Sequence, residues 1–275
     1  FGVQTYILSK AFGYLIRILI FSIDSSLLSK DIFLVFLLGI DIIDWISFSV
    51  VIIFQTLIFS VGINFNKRLI NYSAITVYGG MIIFFFGVLL SDVKLTSQAF
   101  AELLDYKNLV DDENIFALLS VAGAIFAYFS IIIVTFGDFS RYVKNESELK
   151  KGNLSLIANL IIFSFFSVFI VIGSDVFLNL RFLDLSSILT NPTDIVGKFD
   201  NTSITVIAIF FILISSASTN LVANFIPSQY SLINFLPNNL NLKSASYVIL
   251  IFSFFIGIYW LTVLSQIGIL SFIDT

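Results

Sequence analysis

Cysteine and histidine are absent from the chain, proline occurs three times, and charged residues make up only 12% of it. Without cysteine there is no disulfide, no thiol nucleophile and no thiolate metal site. Without histidine the usual general base, the commonest metal ligand and the pH sensor near neutrality are missing. Hydrolytic triads and zinc chemistry are argued against on both counts, and no catalytic residue or cofactor is expected. No GxGxxG or P-loop pattern occurs, so an ATP-driven mechanism has no support. A net charge of −4 gives no basic excess, and no nucleic-acid partner is expected. The prolines are placed in connections, Pro192 and Pro227 in loops and Pro237 in the turn before the helix of Tyr247.

What remains is apolar. The chain is 58% hydrophobic with 33 phenylalanines, against about 45–50% apolar and about 25% charged residues in soluble domains. This composition reads as an all-α polytopic membrane protein. A span needs about 20 apolar residues, which predicts helices over roughly 1–21, 44–63, 70–91, 115–137, 154–177, 203–226 and 244–262, with a partial eighth from about 266. The first carries Gln4, Lys10 and Arg17, so one side of it is expected to face protein or an aqueous cavity. Ile32–Ile43 is apolar but too short to span and is expected to be interfacial or re-entrant. The chain starts at Phe1 inside an apolar segment and stops as another begins, and is expected to be an internal piece of a longer protein, truncated at both ends.

Lys67 and Arg68, then Arg141, Lys144, Lys150 and Lys151, then Lys243 fall in every second loop, which the positive-inside rule places in the cytoplasm. The intervening loops are acidic, with Asp24, Asp31, Asp41 and Asp44 in one and Asp92, Glu102, Asp105, Asp111, Asp112 and Glu113 in another. The first helix then runs from inside to outside, and the helix over 203–226 from outside to inside.

That helix carries the polar stretch Ser215-Ser216-Ala217-Ser218-Thr219-Asn220-Leu221-Val222-Ala223-Asn224 in the middle of an otherwise apolar run, where unpaired polar groups are expensive. At about 100° per residue, Ser215, Ser218 and Thr219 share one stripe and Asn220 and Asn224 lie on roughly the opposite one. Hydroxyl oxygens with backbone carbonyls suit a small dehydrated cation. Carboxamides offer a donor and an acceptor together and suit the amide or imide edge of a small heterocycle. A helix touching both would couple them. The plainer reading is that small hydroxyl residues pack closely or bond back to their own i−4 carbonyls. Gly123 precedes Phe126, Tyr128 and Phe129, so backbone and rings could meet a ligand there, or the glycine serves helix packing alone. Gly137-Asp138-Phe139-Ser140-Arg141-Tyr142 ends that helix and reads as a cytoplasmic hinge or lock.

Three separated stretches resemble the nucleobase:cation symporter-1 family of cytosine, uracil, purine, allantoin and hydantoin permeases. Phe1-Gly2-Val3-Gln4-Thr5 is similar to the family's third helix. Gly137-Asp138-Phe139-Ser140-Arg141-Tyr142 is similar to the sequence ending its sixth helix. Ser218-Thr219-Asn220-Leu221-Val222-Ala223-Asn224, followed by Pro227, Tyr230 and Pro237, is similar to its eighth helix and the loop beyond. The resemblance implies a leucine-transporter-like bundle of two inverted repeats with a midplane site, of which this single domain over residues 1–275 would cover helices three to ten of twelve. It implies that Gln4 and Asn224, with Asn220 on the same stripe, bind the substrate's polar edge, and that Phe129, with Tyr128 beside it, stacks on its ring. It also implies that Ser215, Ser218 and Thr219 match the eighth-helix part of the cation site, where sodium could bind. Phe129 stands where a related hydantoin carrier has tryptophan, which changes pocket width.

The expected function is therefore cation-coupled uptake of a nucleobase or related small heterocycle across a bacterial inner membrane or plasma membrane. Its partners are the solute, a coupling cation and the lipid bilayer, with sodium favoured by the hydroxyl stripe and protons the alternative. No oligomeric state is specified. An amino-acid or other small-solute carrier on the same scaffold is the rival of the same class, and a non-transport membrane enzyme or subunit the rival of another. The orientation is directly testable. A cysteine at Lys150 should be labelled by a membrane-impermeant thiol reagent only from the cytoplasmic side and one at Asp111 only from outside, and the opposite pattern would reverse the topology.

Overall fold

The computed structural model describes residues 1–37, 39–91, 93–103, 112–134, 136–140, 143–177 and 201–259. The chain forms two units, one of residues 1–76 with 201–275 and one of residues 77–200. In order come α1 (Gly2–Ile23), two 3-10 turns (Ser25–Ser29 and Asp31–Leu34), β1 (Phe36–Leu37), β2 (Ile40–Asp41), α2 (Ile42–Phe59), α3 (Ile63–Ser91) and α4 (Val93–Leu103). α5 (Asp112–Val134), α6 (Phe136–Ser140), α7 (Glu146–Phe177), α8 (Thr202–Asn220), a π turn (Leu221–Phe225), α9 (Ile226–Phe235) and α10 (Leu242–Tyr259) follow.

Each of the seven full spans expected from hydropathy falls on an observed helix, and the partial eighth lies outside the described residues. Among the described residues five helices are long and apolar enough to cross a membrane: Gly2–Ile23, Ile42–Phe59, Ile63–Gly87, Glu146–Val171 and Thr202–Phe235. A shorter apolar helix covers Leu242–Gly257. Their outward surfaces are dense with Ile, Leu and Phe, among them Ile75, Ile83, Leu154, Ile161 and Phe210, which suits acyl chains as solvent.

The segment Ile32–Ile43 is a 3-10 turn and a two-residue antiparallel hairpin, in which Phe36 pairs with Asp41 and Leu37 with Ile40. Gly39 takes φ +79 at its turn, a conformation that costs glycine little, and the Trp45 indole donates to the Leu37 carbonyl at 2.9 Å. Pro227 is not in a loop. It is buried near the start of α9, and the helix from Thr202 continues through the π turn as far as Phe235. Proline returns no N–H to the preceding turn. The chain widens directly upstream instead, with the Ile226 N–H donating to the Leu221 carbonyl five residues back, the defining bond of a π turn. Pro237 lies in the turn before α10 as expected, while Pro192 falls outside the described residues.

In the first unit α1 packs on α2, α8 and α10. Tyr6, Ile40, Phe48 and Ile52 form one apolar cluster. Phe59, Leu221, Phe225 and Ile249 form a second, where the ring of Phe1 lies 5.1 Å from Phe225 and 6.3 Å from Phe59. α1 and α10 cross at a pair of glycines. A Cβ on Gly2 would strike the Ser253 carbonyl oxygen, and one on Gly257 would stand 2.9 Å from that of Gly2. In the second unit Tyr78 donates to Asn159 Oδ1 at 2.9 Å, and Phe85 meets Phe166 and Phe169 at 5.2 and 4.6 Å, joining α3 to α7.

The basic residues of α1 do face protein. Lys10 pairs with Asp44, and Arg17 bridges Asp41 at 2.6 Å and Asp44 at 3.0 Å. Asp44 is not a loop acid but a buried residue in the first turn of α2. Asp41, just before that helix, accepts the Asp44 N–H at 2.9 Å and so caps it. Removing a charged acceptor of this kind costs about 1.5–3 kcal/mol. Asp44→Asn should therefore lower the denaturation midpoint of the purified protein clearly more than Asp41→Asn, because Arg17 keeps Asp44 when Asp41 is lost. Equal midpoints for the two variants would remove Asp44 from its place as the shared acceptor.

Candidate functional site

The carboxamide stripe and the hydroxyl stripe of α8 meet different surroundings. Asn220 is fully buried against α1 and α2. Its Nδ2 donates to Thr5 Oγ1 at 2.8 Å and to Gln55 Oε1 at 3.1 Å, and its Oδ1 accepts from Asn224 Nδ2 at 3.0 Å. Thr5 lies 2.9 Å from the Phe1 carbonyl and 3.1 Å from Gln55 Oε1, with one hydrogen to offer them. The result is a row of polar side chains, drawn from three helices, that stitches the middle of the first unit and ends at half-buried Asn224. Gln4, one residue before Thr5, is also half-buried, and its side chain makes no hydrogen bond among the described residues.

On the other stripe Ser215 and Ser218 are half-buried and Thr219 is exposed, with its hydroxyl donated to the Ser215 carbonyl at 3.0 Å. This is the i−4 back-bond that the plainer reading anticipated. It uses the hydrogen of Thr219 and leaves oxygen lone pairs available. A cavity of about 270 Å³ lies toward the start of α8, lined by Thr76, Val206, Ile207, Phe210, Phe211 and Ile214. None of the candidate polar residues lines it, and its apolar walls suit a lipid chain better than a heterocycle.

The candidate residues thus divide. Asn220 and Asn224 are joined by a hydrogen bond, Gln4 precedes the Thr5 that Asn220 bonds, and Ser215, Ser218 and Thr219 lie within about a turn and a half of Asn220 on α8. Tyr128 and Phe129 belong to α5 in the second unit, and their side chains lie outside the described residues, as does that of Asp138 on α6. Ser140 ends α6 with its hydroxyl 3.5 Å from the Gly137 carbonyl, and Arg141 and Tyr142 lie outside the described residues. Gln55 and Thr5 were not singled out by sequence reasoning. Gln55 had a signal, as the lone carboxamide in the apolar run from Val50 to Phe59. Thr5 stood in the stretch similar to the family's third helix but was given no role, since a threonine on a span is unremarkable.

The sequence model of the family described as permease for cytosine/purines, uracil, thiamine and allantoin matches residues 1–275. The chain belongs to this permease family. Among relatives of this chain, the allantoin permease of Bacillus subtilis (strain 168) is 26% identical over 132 residues, covering 48% of this chain and 26% of the relative. The putative allantoin permease of Escherichia coli (strain K12) is 26% identical over 248 residues, covering 86% and 47%. The chain spans about half the length of these relatives, or less. No solved structure matches it. Family and apolar helices together make it part of an integral multi-pass membrane protein.

The geometry separates structural from accessible polar groups in this chain. Asn220→Leu strips three hydrogen bonds from a dry interior and leaves Gln55 Oε1 short of a donor, a loss of about 1–3 kcal/mol. Exposed Thr219→Ala should stay within about 0.5 kcal/mol. Thermal unfolding of the ligand-free protein should show that order, and a reversed order would contradict the buried network.

Proposed function

We propose that this chain carries the substrate and cation sites of a symporter that takes up a nucleobase or a related small heterocycle, allantoin among the candidates, by alternating access on a leucine-transporter-like inverted-repeat scaffold. The observation that carries the reading is Asn224. It is a carboxamide in the middle of a span, held from behind by Asn220, half-buried rather than sealed, with its second N–H and its Oδ1 free of partners among the described residues. Intramembrane polar groups of this kind mark substrate pathways. Gln4, half-buried on α1 one residue before Thr5, supplies a second carboxamide without a partner among the described residues, and Asn220 supports Asn224 from within. Phe129, with Tyr128 beside it, is assigned to stack on the solute ring. Ser215, Ser218 and Thr219 are assigned to the coupling ion. Sodium fits hydroxyl and carbonyl oxygens, and the span holds no histidine to carry a proton.

Binding by the full-length purified protein across a sodium titration, repeated across pH, tests the division. Asn224→Ala and Gln4→Ala should each weaken the heterocycle by about tenfold to a hundredfold, from about 1–3 kcal/mol lost per unmade bond, with little direct effect on the cation. Ser218→Ala and Thr219→Ala should chiefly raise the sodium concentration for half-maximal binding, and touch the heterocycle only through linkage between the sites. If Asn224→Ala and Thr219→Ala leave both affinities at the wild-type value in folded protein, the polar stretch serves packing and the symporter reading falls.

A further inference from the structure

A helix break ordinarily leaves carbonyls without donors on one side and N–H groups without acceptors on the other. The joint between α8 and α9 leaves oxygens alone. The Leu221 carbonyl takes the Ile226 N–H, and Phe225, the N-cap of α9, accepts the first bond of that helix, from Gln229. Between them stand the carbonyls of Val222, Ala223 and Asn224. Pro227 has no N–H, so Ser228 alone can answer them, and it lies six residues beyond Val222, outside the reach of an α or a π bond. Val222 and one of its two successors therefore have no main-chain donor. Among the described residues no side chain donates to any of the three. All three residues are half-buried rather than sealed, in a span where an unmet carbonyl is expensive. Something must meet these oxygens.

Acceptors with no donor beside them repel an anion and select a cation or an N–H. Position decides between these. At about 100° per residue, Val222 follows Ser218 and Ala223 follows Thr219 by one turn, which puts them on the hydroxyl stripe and away from the carboxamides. The Ser218 hydroxyl, half-buried, makes no hydrogen bond among the described residues. We propose that the bare carbonyl of Val222 and its bare neighbour form a second position for a monovalent cation, about 6 Å of axial rise beyond the hydroxyls. The inference rests on the reading of Ser215, Ser218 and Thr219 as the first position. Carbonyls released from a helix ladder replace part of an ion's hydration shell, and water completes it. Two like charges at this spacing repel, so the positions fill in turn. In the orientation that the loop charges give, the second lies on the cytoplasmic side of the first and receives the ion as it leaves.

The test is anomalous diffraction from crystals of the full-length protein soaked in thallium(I), a strongly scattering monovalent cation. Wild type should show two partly filled peaks, one at the hydroxyls and one against the Val222 carbonyl. Pro227→Ala returns the missing N–H, leaves at most one oxygen bare, and should lose most of the second peak while keeping the first. Ser218→Ala combined with Thr219→Ala should lose the first and keep the second. Lactic acid in place of Ala223 keeps the side chain but turns the Val222 carbonyl into an ester, a poorer ligand, and should weaken the second peak. That protein decides if Pro227→Ala does not fold. In liposomes Pro227→Ala should slow sodium release to the cytoplasmic side by about tenfold and leave the sodium concentration for half-maximal heterocycle binding unchanged. No wild-type peak against residues 222–224 overturns the inference, as does one kept at full height in Pro227→Ala, or with lactic acid where that protein decides. A wild-type peak missing from the hydroxyls instead overturns the cation assignment beneath it.

Discussion

A carboxamide inside hydrocarbon must find partners within the protein, because no water is there to supply them and each unmet bond costs several kcal/mol. Asn220 meets that demand by spending both hydrogens on α1 and α2 and its oxygen on the next turn of its own strand of helix. Much of the first unit follows from this. Thr5 and Gln55 can reach Asn220 only if α1, α2 and α8 converge at one level. The aromatic cluster of Phe1, Phe59 and Phe225 packs beside that level and keeps it dry. α10 closes on α1 through Gly2 and Gly257, where a side chain on either would strike backbone.

The same demand explains the long helix from Thr202. Ending it at a loop after Asn224 would leave the carbonyls of its last turn open at membrane depth. Pro227 nevertheless removes one N–H from the continuing ladder. The π turn over Leu221–Phe225 reconciles these by reaching one residue further back, and it begins directly after Asn220 and contains Asn224. Such turns recur at functional sites. Here it carries the half-buried end of the polar row, directly after the sealed one. Farther along α1, the pairs of Lys10 and Arg17 with Asp41 and Asp44 tie the same two helices by charge, so α1 and α2 are fastened at two levels.

Hydropathy located the helices because length and apolarity are what a bilayer demands, and the motifs at Gln4-Thr5 and Ser218–Asn224 located one helix crossing of the candidate site. Other features depended on tertiary partners and stayed hidden. Asp41 and Asp44 read as loop acids until α1 brought Lys10 and Arg17 to them. Pro227 read as a loop marker because local rules do not foresee a π turn. Gln55 was visible as an oddity without a role, since nothing in its own helix says that Asn220 lies opposite. Periodicity set Asn220 and Asn224 on one stripe, yet burial divides them, one sealed and one half open. The side chains of Tyr128 and Phe129 fall outside the described residues, so the aromatic half of the site stands on the family resemblance.

The hydroxyl stripe shows why two readings that looked like rivals are compatible. Thr219 bonds back to the Ser215 carbonyl, as a helix hydroxyl with no other task does. A hydroxyl that donates its hydrogen to a carbonyl has its oxygen turned outward with lone pairs free, which is also the state required of a cation ligand. The back-bond therefore orients the oxygen rather than consuming it. A cation arriving there would draw on a group already fixed on a helix whose other stripe is anchored by Asn220. Asn224 stands on the same continuous helix, so any shift of that helix on ion binding would carry Asn224 with it, which is the physical form that coupling between the two proposed ligands would take.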